Sequence, residues 1–196
     1  MTSIIGLTGA TGEDWYSWPV GTTATALTAV AAVWENKAAA LSNIQRAIID
    51  LDAHLTGQGA LFGAVWAPAA LEGVVAATGW GGVLPSGSQD DYRSALRYRR
   101  TIEGRTFDGE TIVFSQDVQS VPVNDIDTVA LYETRADGDG AEPYILVRVV
   151  FFPNWTKDRV VFEATCPELA VSDSFATQAG QIAASFTFIP DTASQE

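Results

Sequence analysis

The segment EPYILVRVVFFP, Glu142 to Pro153, is the longest run rich in β-branched and aromatic residues in the chain. Arg148 is the only charged residue between Tyr144 and Pro153. A strand with one face in water would carry a polar residue at every second position. This nearly unbroken apolar run therefore predicts a strand covered on both faces, at the centre of the sheet that organises the fold.

The sequence around this segment predicts further strands. Thr128 to Thr134 should pair with Pro143 to Phe152 as a hairpin across the acidic, glycine-containing turn 135–140. Other extended segments are predicted at Tyr92 to Glu103, Thr111 to Ser115, Val118 to Val123, Arg159 to Thr165 and Ile182 to Ile189, with a polar loop at Ser172 to Gln181. Together they predict a mainly antiparallel β-sandwich or barrel in the C-terminal half.

The N-terminal half has the pattern of a helix. From Thr25 to Leu55, apolar side chains recur at steps of three and four, and Lys37 occupies the one seam position that is not apolar. The stripe consists of Leu27, Val30, Trp34, Leu41, Ile44, Ile48, Leu51 and Leu55. This predicts one long amphipathic helix, which either packs on the sheet of the same chain or meets a partner subunit. The fold class expected is α+β.

A change of hydrophobic period near residue 90 divides the chain. We expect an N-terminal arm at 1–22, a helical part at 23–91, a β part at 92–191 and a short tail at 192–196, within one structural domain. Within the helical part, Pro68 should open a short helix that runs to about Ala77. The loop 83–91 is the expected hinge.

Charge limits the classes of partner. The formal net charge is −13, so the field of the protein repels phosphate and does not favour general nucleic-acid binding. The one basic cluster lies between Arg93 and Arg105. Pairing with carboxylates is the favoured interpretation of this cluster. A contact with nucleic acid or an acidic partner is the alternative.

No group of residues has the composition of a catalytic or cofactor site. His54 and Cys166 are the only histidine and the only cysteine, and neither has a suitable neighbour in sequence. Gly9 to Gly12 lacks the rest of a dinucleotide-binding loop, and the acidic turn after Arg135 lacks the ligand spacing of a calcium loop. We expect no enzyme activity, no cofactor and no metal. The most apolar windows are interrupted or too short to span a bilayer, so no membrane contact is expected.

Composition favours self-association. Charged residues make up only 18% of the chain and apolar residues 47%, which predicts apolar surface that neighbouring subunits cover. The candidate subunit interface comprises the aromatic residues of the arm, the first part of the helical stripe and two arginines. These are Trp15, Tyr16, Trp18, Leu27, Val30, Trp34, Leu41, Ile44, Arg97 and Arg99.

The second half also resembles a known family. An Arg-rich strand is followed by a turn at Phe107 to Glu110, the hairpin LYETRADGDGAEPYILVRVVFFPNW, the segment RVVFEATCPELAVSDS and a last strand that ends at Phe188 to Asp191. This order is similar to that of the major tail (tail tube) proteins of long-tailed bacterial and archaeal viruses.

The resemblance implies a β-sandwich subunit that forms rings, possible hexamers, which stack into a tube. It also implies assembly in the host cytoplasm, a final location in the virion, other virion proteins as partners, and DNA that passes without specific binding. Because the long helix precedes the strands, a head decoration protein and a head-to-tail connector are alternatives.

Overall fold

The computed structural model of the chain describes residues 3–8, 12, 14–84, 94–105 and 110–191. The strands are β1 (Ile4–Thr8), β2 (Trp15–Pro19), β3 (Ala60–Trp66), β4 (Ala77–Leu84), β5 (Thr111–Ser120), β6 (Asp127–Asp137), β7 (Tyr144–Phe152), β8 (Arg159–Cys166) and β9 (Thr187–Pro190). The helices are α1 (Ala24–Trp34), α2 (Ala38–Leu55), α3 (Ala95–Glu103) and α4 (Ser172–Ala184). Single 3-10 turns lie at Ala69–Leu71 and Leu169–Val171.

The main sheet of the described chain has seven antiparallel strands in the order β2-β3-β4-β8-β7-β6-β5. Strand β7 pairs with β6 on one side and with β8 on the other, and it is buried on both faces, as predicted. Leu146 and Val150 face one layer, whereas Val147 and Phe151 face the other. The predicted β6–β7 hairpin is confirmed.

The prediction of a closed barrel or two-sheet sandwich is wrong. The large sheet is open, and helices cover both of its faces. Strands β2, β3 and β4 come from the first half of the chain, so the sheet is not confined to the C-terminal half. Because the middle strands are apolar on both sides, two cover layers are needed, and helices supply most of both.

Helix α4 and a two-stranded ribbon, β1 paired with β9, cover one face of the sheet. Phe186 packs between Phe151 and Phe162, with ring centroids 5.7 and 5.5 Å away. Trp15 stacks on Trp66 at 6.1 Å between ring centroids. The N-terminal residues that we expected to form an arm therefore contribute strands to both sheets.

The opposite face has two separate covers. Helices α1 and α2 pack on β2 and β3, and α3 packs on β5, β6 and β7. Between these covers, the middle strands carry polar side chains that are only partly buried, among them Thr78, Arg148, Glu163 and Thr165. This gap is the part of the fold that matters for the candidate site.

The predicted single helix over Thr25 to Leu55 is in fact two helices. The chain leaves helical geometry at Lys37, where φ is −130° and ψ is 70°. Lys37 interrupts the apolar stripe, and its Nζ lies 5.3 Å from the centroid of the Trp34 ring rather than in the core. A charged seam position cannot be buried without a partner, so each helix buries its own half of the stripe.

The predicted strand at Tyr92 to Glu103 is also wrong, because Ala95–Glu103 is helix α3; Tyr92 itself lies outside the described residues. Ser94 caps the helix, since its Oγ accepts a hydrogen bond from the Arg97 backbone N–H at 3.3 Å. Tyr98 and Ile102 lie four residues apart and are buried against the sheet. These apolar positions fit a helical period as well as an alternating one, so the pattern alone was ambiguous.

Two further segments differ from prediction. The expected polar loop at Ser172 to Gln181 belongs to α4, which buries Phe175, Ala179, Ile182 and Ala183 at helical spacing. The expected final strand shortens to β9 as a result. The short helix predicted from Pro68 to about Ala77 is a single 3-10 turn between β3 and β4. The consecutive apolar residues on either side of this turn belong to β3 and β4, which are strands covered on both faces.

Candidate functional site

The residues predicted to form a subunit interface lie in three places. Trp15 belongs to the layer under α4, while Arg97 and Arg99 lie on α3. The other seven lie in the layer between α1, α2 and the sheet: Tyr16, Trp18, Leu27, Val30, Trp34, Leu41 and Ile44.

Within that layer, the chain itself covers the side chains. Trp18 is only 1% exposed, and its Nε1 donates a hydrogen bond to Asp52 Oδ1 at 2.8 Å. Trp34 Nε1 donates to Tyr16 Oη at 2.9 Å in a buried position. The helical stripe thus packs on β2 and β3 of its own chain, which was one of the two alternatives. A contact between subunits must begin with residues that are exposed.

Strand β5 offers such a surface. It pairs with β6 on one side, and no other strand of the described chain lies on its outer side. Most of its side chains are exposed. An edge strand of ten residues presents a row of unpaired backbone N–H and C=O groups, which another strand can join.

A β-bulge interrupts this edge. Val113 pairs with Arg135, and Ser115 pairs with Thr134. Arg135 and Thr134 are consecutive, whereas Phe114 lies between Val113 and Ser115, so Phe114 is the additional residue of the bulge. Phe114 is 61% exposed, which is unusual for a phenylalanine on a strand. The outer edge of the sheet therefore combines backbone groups that no other strand of the described chain joins with one exposed aromatic ring.

The gap between α2 and α3 holds a polar row on the sheet. Arg148 on β7 donates from Nε to Glu163 Oε2 on β8 at 2.6 Å, and Arg148 Nη2 contacts the same oxygen. Thr78 Oγ1 on β4 lies 3.4 Å from Thr165 Oγ1 on β8. These side chains come from three neighbouring strands in direct register.

Beside this row, on β5, β6 and β7, is a second polar group. The buried carboxylate of Glu133 accepts a hydrogen bond from Gln116 Nε2 at 2.7 Å. Arg135 Nε donates to Tyr144 Oη at 2.6 Å, and Tyr144 donates in turn to Asp137 Oδ2 at 2.7 Å. Burial raises the pKa of Tyr144 above its ordinary value, and the hydrogen bond to Asp137 acts in the same direction, against the nearby Arg135 charge.

A cleft of about 230 Å³ opens between the C-terminal end of α2 and the polar row. Its lining combines apolar side chains, two hydroxyls, a carboxylate and the single histidine. The lining residues are Leu51, His54, Leu55, Gln58, Ala60, Thr78, Gly79, Trp80, Glu163 and Thr165. A larger, more open hollow of about 480 Å³ continues from Thr78 and Thr165 toward Asp137 and Glu142.

The sequence did not reveal this cleft. Thr78 and Trp80 lie in a segment where the apolar run concealed the alternation of strand β4. The available signal was Glu163, the one charge in the interior of the strand RVVFEATC, together with Arg148 in the equivalent position of β7. Two opposite charges within two otherwise buried strands indicate that the strands are neighbours and that the charges pair with each other. They also indicate that the helices leave this part of the sheet partly uncovered.

The other residues considered in the sequence have ordinary surroundings. Cys166 is buried and donates from Sγ to the Glu168 carbonyl oxygen at 3.4 Å, and burial raises the pKa of its thiol. The turn after Arg135 contains Gly138 and Gly140 at positive φ, as a tight turn requires. Of the glycine-loop segment only Gly12 is described, so residues 9–11 lie outside the described residues.

The described part of the chain contains no group of three or more His, Cys, Asp or Glu side chains placed to hold a metal ion. None of its helices is both long enough and apolar enough to cross a membrane.

Comparisons with known proteins identify no family. No family model matches the sequence, and no curated protein matches it. Among solved structures, cyanobacterial PsbP (CyanoP) from Synechocystis is similar with a TM-score of 0.43 and 10% identity, and the match covers 95% of each chain.

Two other solved structures match over a smaller part of the chain. A Pseudomonas aeruginosa protein of unknown function gives a TM-score of 0.36 and 14% identity over 54% of this chain and 69% of that one. The Ran-binding protein Mog1p of Saccharomyces cerevisiae gives 0.34 and 12% over 57% and 67%. At these values the likenesses carry no argument about function.

Proposed function

We propose that this chain is a non-enzymatic structural subunit that joins copies of itself through the outer edge of β5. The observation that carries the proposal is the exposed Phe114 at the bulge of β5, an edge strand whose outer side no described strand joins. A second strand would satisfy the backbone groups, and the ring would leave water against the neighbour. The specific form that we propose, on the sequence resemblance, is a tail tube subunit of a virus particle.

The geometry of the edges supports a ring. The described sheet ends at β5 on one side and at β2 on the other, and these two edges differ in length and sequence. Addition of β5 to β2 of the next copy would be a head-to-tail contact, which produces closed rings or open helical assemblies. Addition of β5 to β5 would instead produce a two-fold dimer, which suits a decoration protein better than a tube.

Charge supports the proposed conduit role. With a net charge of −13, each copy repels DNA, so a lumen formed by many copies would let DNA pass without binding it. The same charge opposes close approach of the copies. Assembly should therefore strengthen as salt screens the repulsion, whereas a contact with phosphates would weaken.

A nucleic-acid or acidic-partner module remains the second candidate, because three arginines of the cluster, Arg97, Arg99 and Arg100, lie on one short helix. Within α3, however, Arg99 already donates from Nε to Glu103 Oε1 at 2.7 Å and from Nη1 to Ser120 Oγ at 3.3 Å. This pairing supports the interpretation that the cluster serves carboxylates and hydroxyls of the protein itself.

The test compares Phe114→Lys with Val33→Lys in light scattering and negative-stain microscopy over a range of concentration and salt. Both side chains are exposed, at 61% and 63%, and both changes add one positive charge, but Val33 lies on α1. We expect rings or tubes from the unchanged protein and from the Val33 variant. For the Phe114 variant we expect association at least about tenfold weaker.

Three results discriminate the possibilities. Trimers or small compact clusters would support a decoration protein instead of a tube. A stable monomer at high concentration, with or without added salt, would overturn the proposal. Equal assembly by the two variants would show that β5 is not the contact.

A further inference from the structure

The cleft beside α2 has the size of a small-molecule site. Its volume of about 230 Å³ exceeds the roughly 150 Å³ of a protein cavity that accepts benzene. Leu51, Leu55 and Trp80 supply apolar and aromatic wall, while the exposed His54 and Gln58 mark the mouth. The space therefore fits one aromatic ring with a short side arm.

One carboxylate oxygen in the lining of the cleft is available to accept a hydrogen bond from a ligand. Arg148 Nε and Nη2 both contact Oε2 of Glu163, and within the described chain Glu163 Oε1 has no hydrogen-bond partner. The nearby hydroxyls of Thr78 and Thr165 lie 3.4 Å apart, a long contact that leaves both able to bond elsewhere. The sheet side of the cleft thus offers one carboxylate oxygen and two hydroxyls beside Trp80, and Leu51 and Leu55 of α2 also line the space.

We infer that this cleft binds a small organic cation, a primary amine attached to an apolar or aromatic body about the size of a benzene ring. The ammonium group would donate to Glu163 Oε1 and to the threonine hydroxyls, and the body would lie against Trp80 and Leu55. A protonated amine has three donors and no acceptor, and it can pair with one carboxylate oxygen and with two hydroxyls in their accepting role.

The charge around the cleft selects for a cation. Arg148 is engaged with Glu163, and the adjoining hollow adds Asp137 and Glu142 at its rim. The net charge of −13 concentrates cations near the whole surface. A carboxylate or phosphate ligand would meet Glu163, Asp137 and Glu142 as like charges.

The test uses three probes with the same aromatic body: 2-phenylethylamine, 2-phenylethanol and phenylacetate. Each is titrated into the isotopically labelled full chain, and backbone amide shifts of Gly79, Trp80 and Glu163 are followed. We expect saturable shifts with the amine at a dissociation constant of about a millimolar or tighter. The alcohol should bind about tenfold more weakly and the acid not measurably.

Variants locate the charge dependence. Glu163→Gln should weaken amine binding about tenfold and leave alcohol binding unchanged. Because that change also removes one partner of Arg148, His54→Lys provides a second test at the exposed mouth, with Val33→Lys as the control of equal charge. We expect His54→Lys to weaken amine binding and Val33→Lys to have no effect. Equal binding of the three probes, or no shift of these amides with the amine, would overturn the inference.

Discussion

Arg148 on β7 and Glu163 on β8 face each other in direct register, and Arg148 donates from Nε to Glu163 Oε2 at 2.6 Å. Both side chains are less than a third exposed. A pair in this position is screened less by solvent than a surface pair, and removal of one partner leaves the other charge poorly solvated.

A double-mutant cycle with Arg148→Met and Glu163→Gln should therefore give a coupling free energy of about 1–2 kcal/mol in urea unfolding. The control is the same kind of cycle on Arg99 and Glu103, an exposed pair four residues apart on α3. There we expect about 0.3–0.5 kcal/mol. Equal coupling in the two cycles would show that partial burial adds nothing to the Arg148 pair.

Gly73 and Gly57 share a backbone conformation but differ in their surroundings. Both have positive φ, at 93° and 84°, yet a Cβ on Gly73 would overlap Ala40 of α2, whereas one on Gly57 would meet nothing within 4 Å. Gly57→Ala should cost about 1 kcal/mol of unfolding free energy, from the left-handed conformation alone.

Gly73→Ala should cost at least about 2 kcal/mol more, because α2 must also shift from the sheet. Thermal and urea unfolding of the two variants measures the difference. If the two costs are the same, the loop at Gly73 can move away from α2, and the close approach does not hold the helix in place.

The sequence was sufficient for the strands whose pattern has one interpretation. Strand β7 is apolar except at Arg148, and the glycine-containing turn after Arg135 joins it to β6, so both the hairpin and its burial were predictable. Where the apolar residues of a short segment fit both a helical and an alternating period, tertiary packing determined whether the segment is a helix or a strand. In α3, Tyr98 and Ile102 fit a strand or a helix, and the Ser94 cap together with the space above β6 favoured the helix.

The candidate surfaces were less accessible to sequence analysis for a physical reason. The large apolar residues chosen as an interface, such as Val30 and Ile44, are the ones that the chain buries most completely in its own core. The exposed Phe114 was not selected, because its exposure depends on a bulge that can be recognised only from the register of β5 against β6.

Alkaline pH should destabilise the fold through Tyr132. Burial and, secondarily, the charge of Asp117 raise the pKa of this phenol above its ordinary value near 10. The folded protein therefore holds the proton more tightly than the unfolded chain. The stabilisation is complete below about pH 10 and is lost as the pH rises through the higher folded-state pKa.

The measurement is the urea midpoint as a function of pH for the unchanged protein and for Tyr132→Phe, with phenolate absorbance to follow ionisation. We expect a less steep loss of stability above about pH 10 in the variant. Parallel curves for the two proteins would mean that Tyr132 ionises in the folded state as readily as in the unfolded chain.

The carboxylate of Glu133 is entirely buried, and only one of its two oxygens accepts a hydrogen bond. Oε1 accepts from Gln116 Nε2 at 2.7 Å, whereas Oε2 has no hydrogen bond and lies 3.7 Å from Arg135 Nη1. An isolated buried carboxylate is costly, so Arg135 should be the group that makes the charge tolerable. Arg135→Met should lower the unfolding free energy by about 2–4 kcal/mol. Glu133→Gln should change it by less than about 1 kcal/mol, since it removes the buried charge and keeps an acceptor for Gln116.

The decisive measurement is the double variant in urea unfolding. If Arg135 acts on the Glu133 charge, the Arg135→Met change should cost much less in the presence of Glu133→Gln than alone. Arg135 also donates to Tyr144 Oη, so an undiminished cost in the double variant would assign the effect to that hydrogen bond instead. Tyr144→Phe removes the phenolic hydroxyl and with it the hydrogen bonds to both Arg135 and Asp137. A cost well below that of Arg135→Met would therefore show that Arg135 acts mainly on the buried carboxylate.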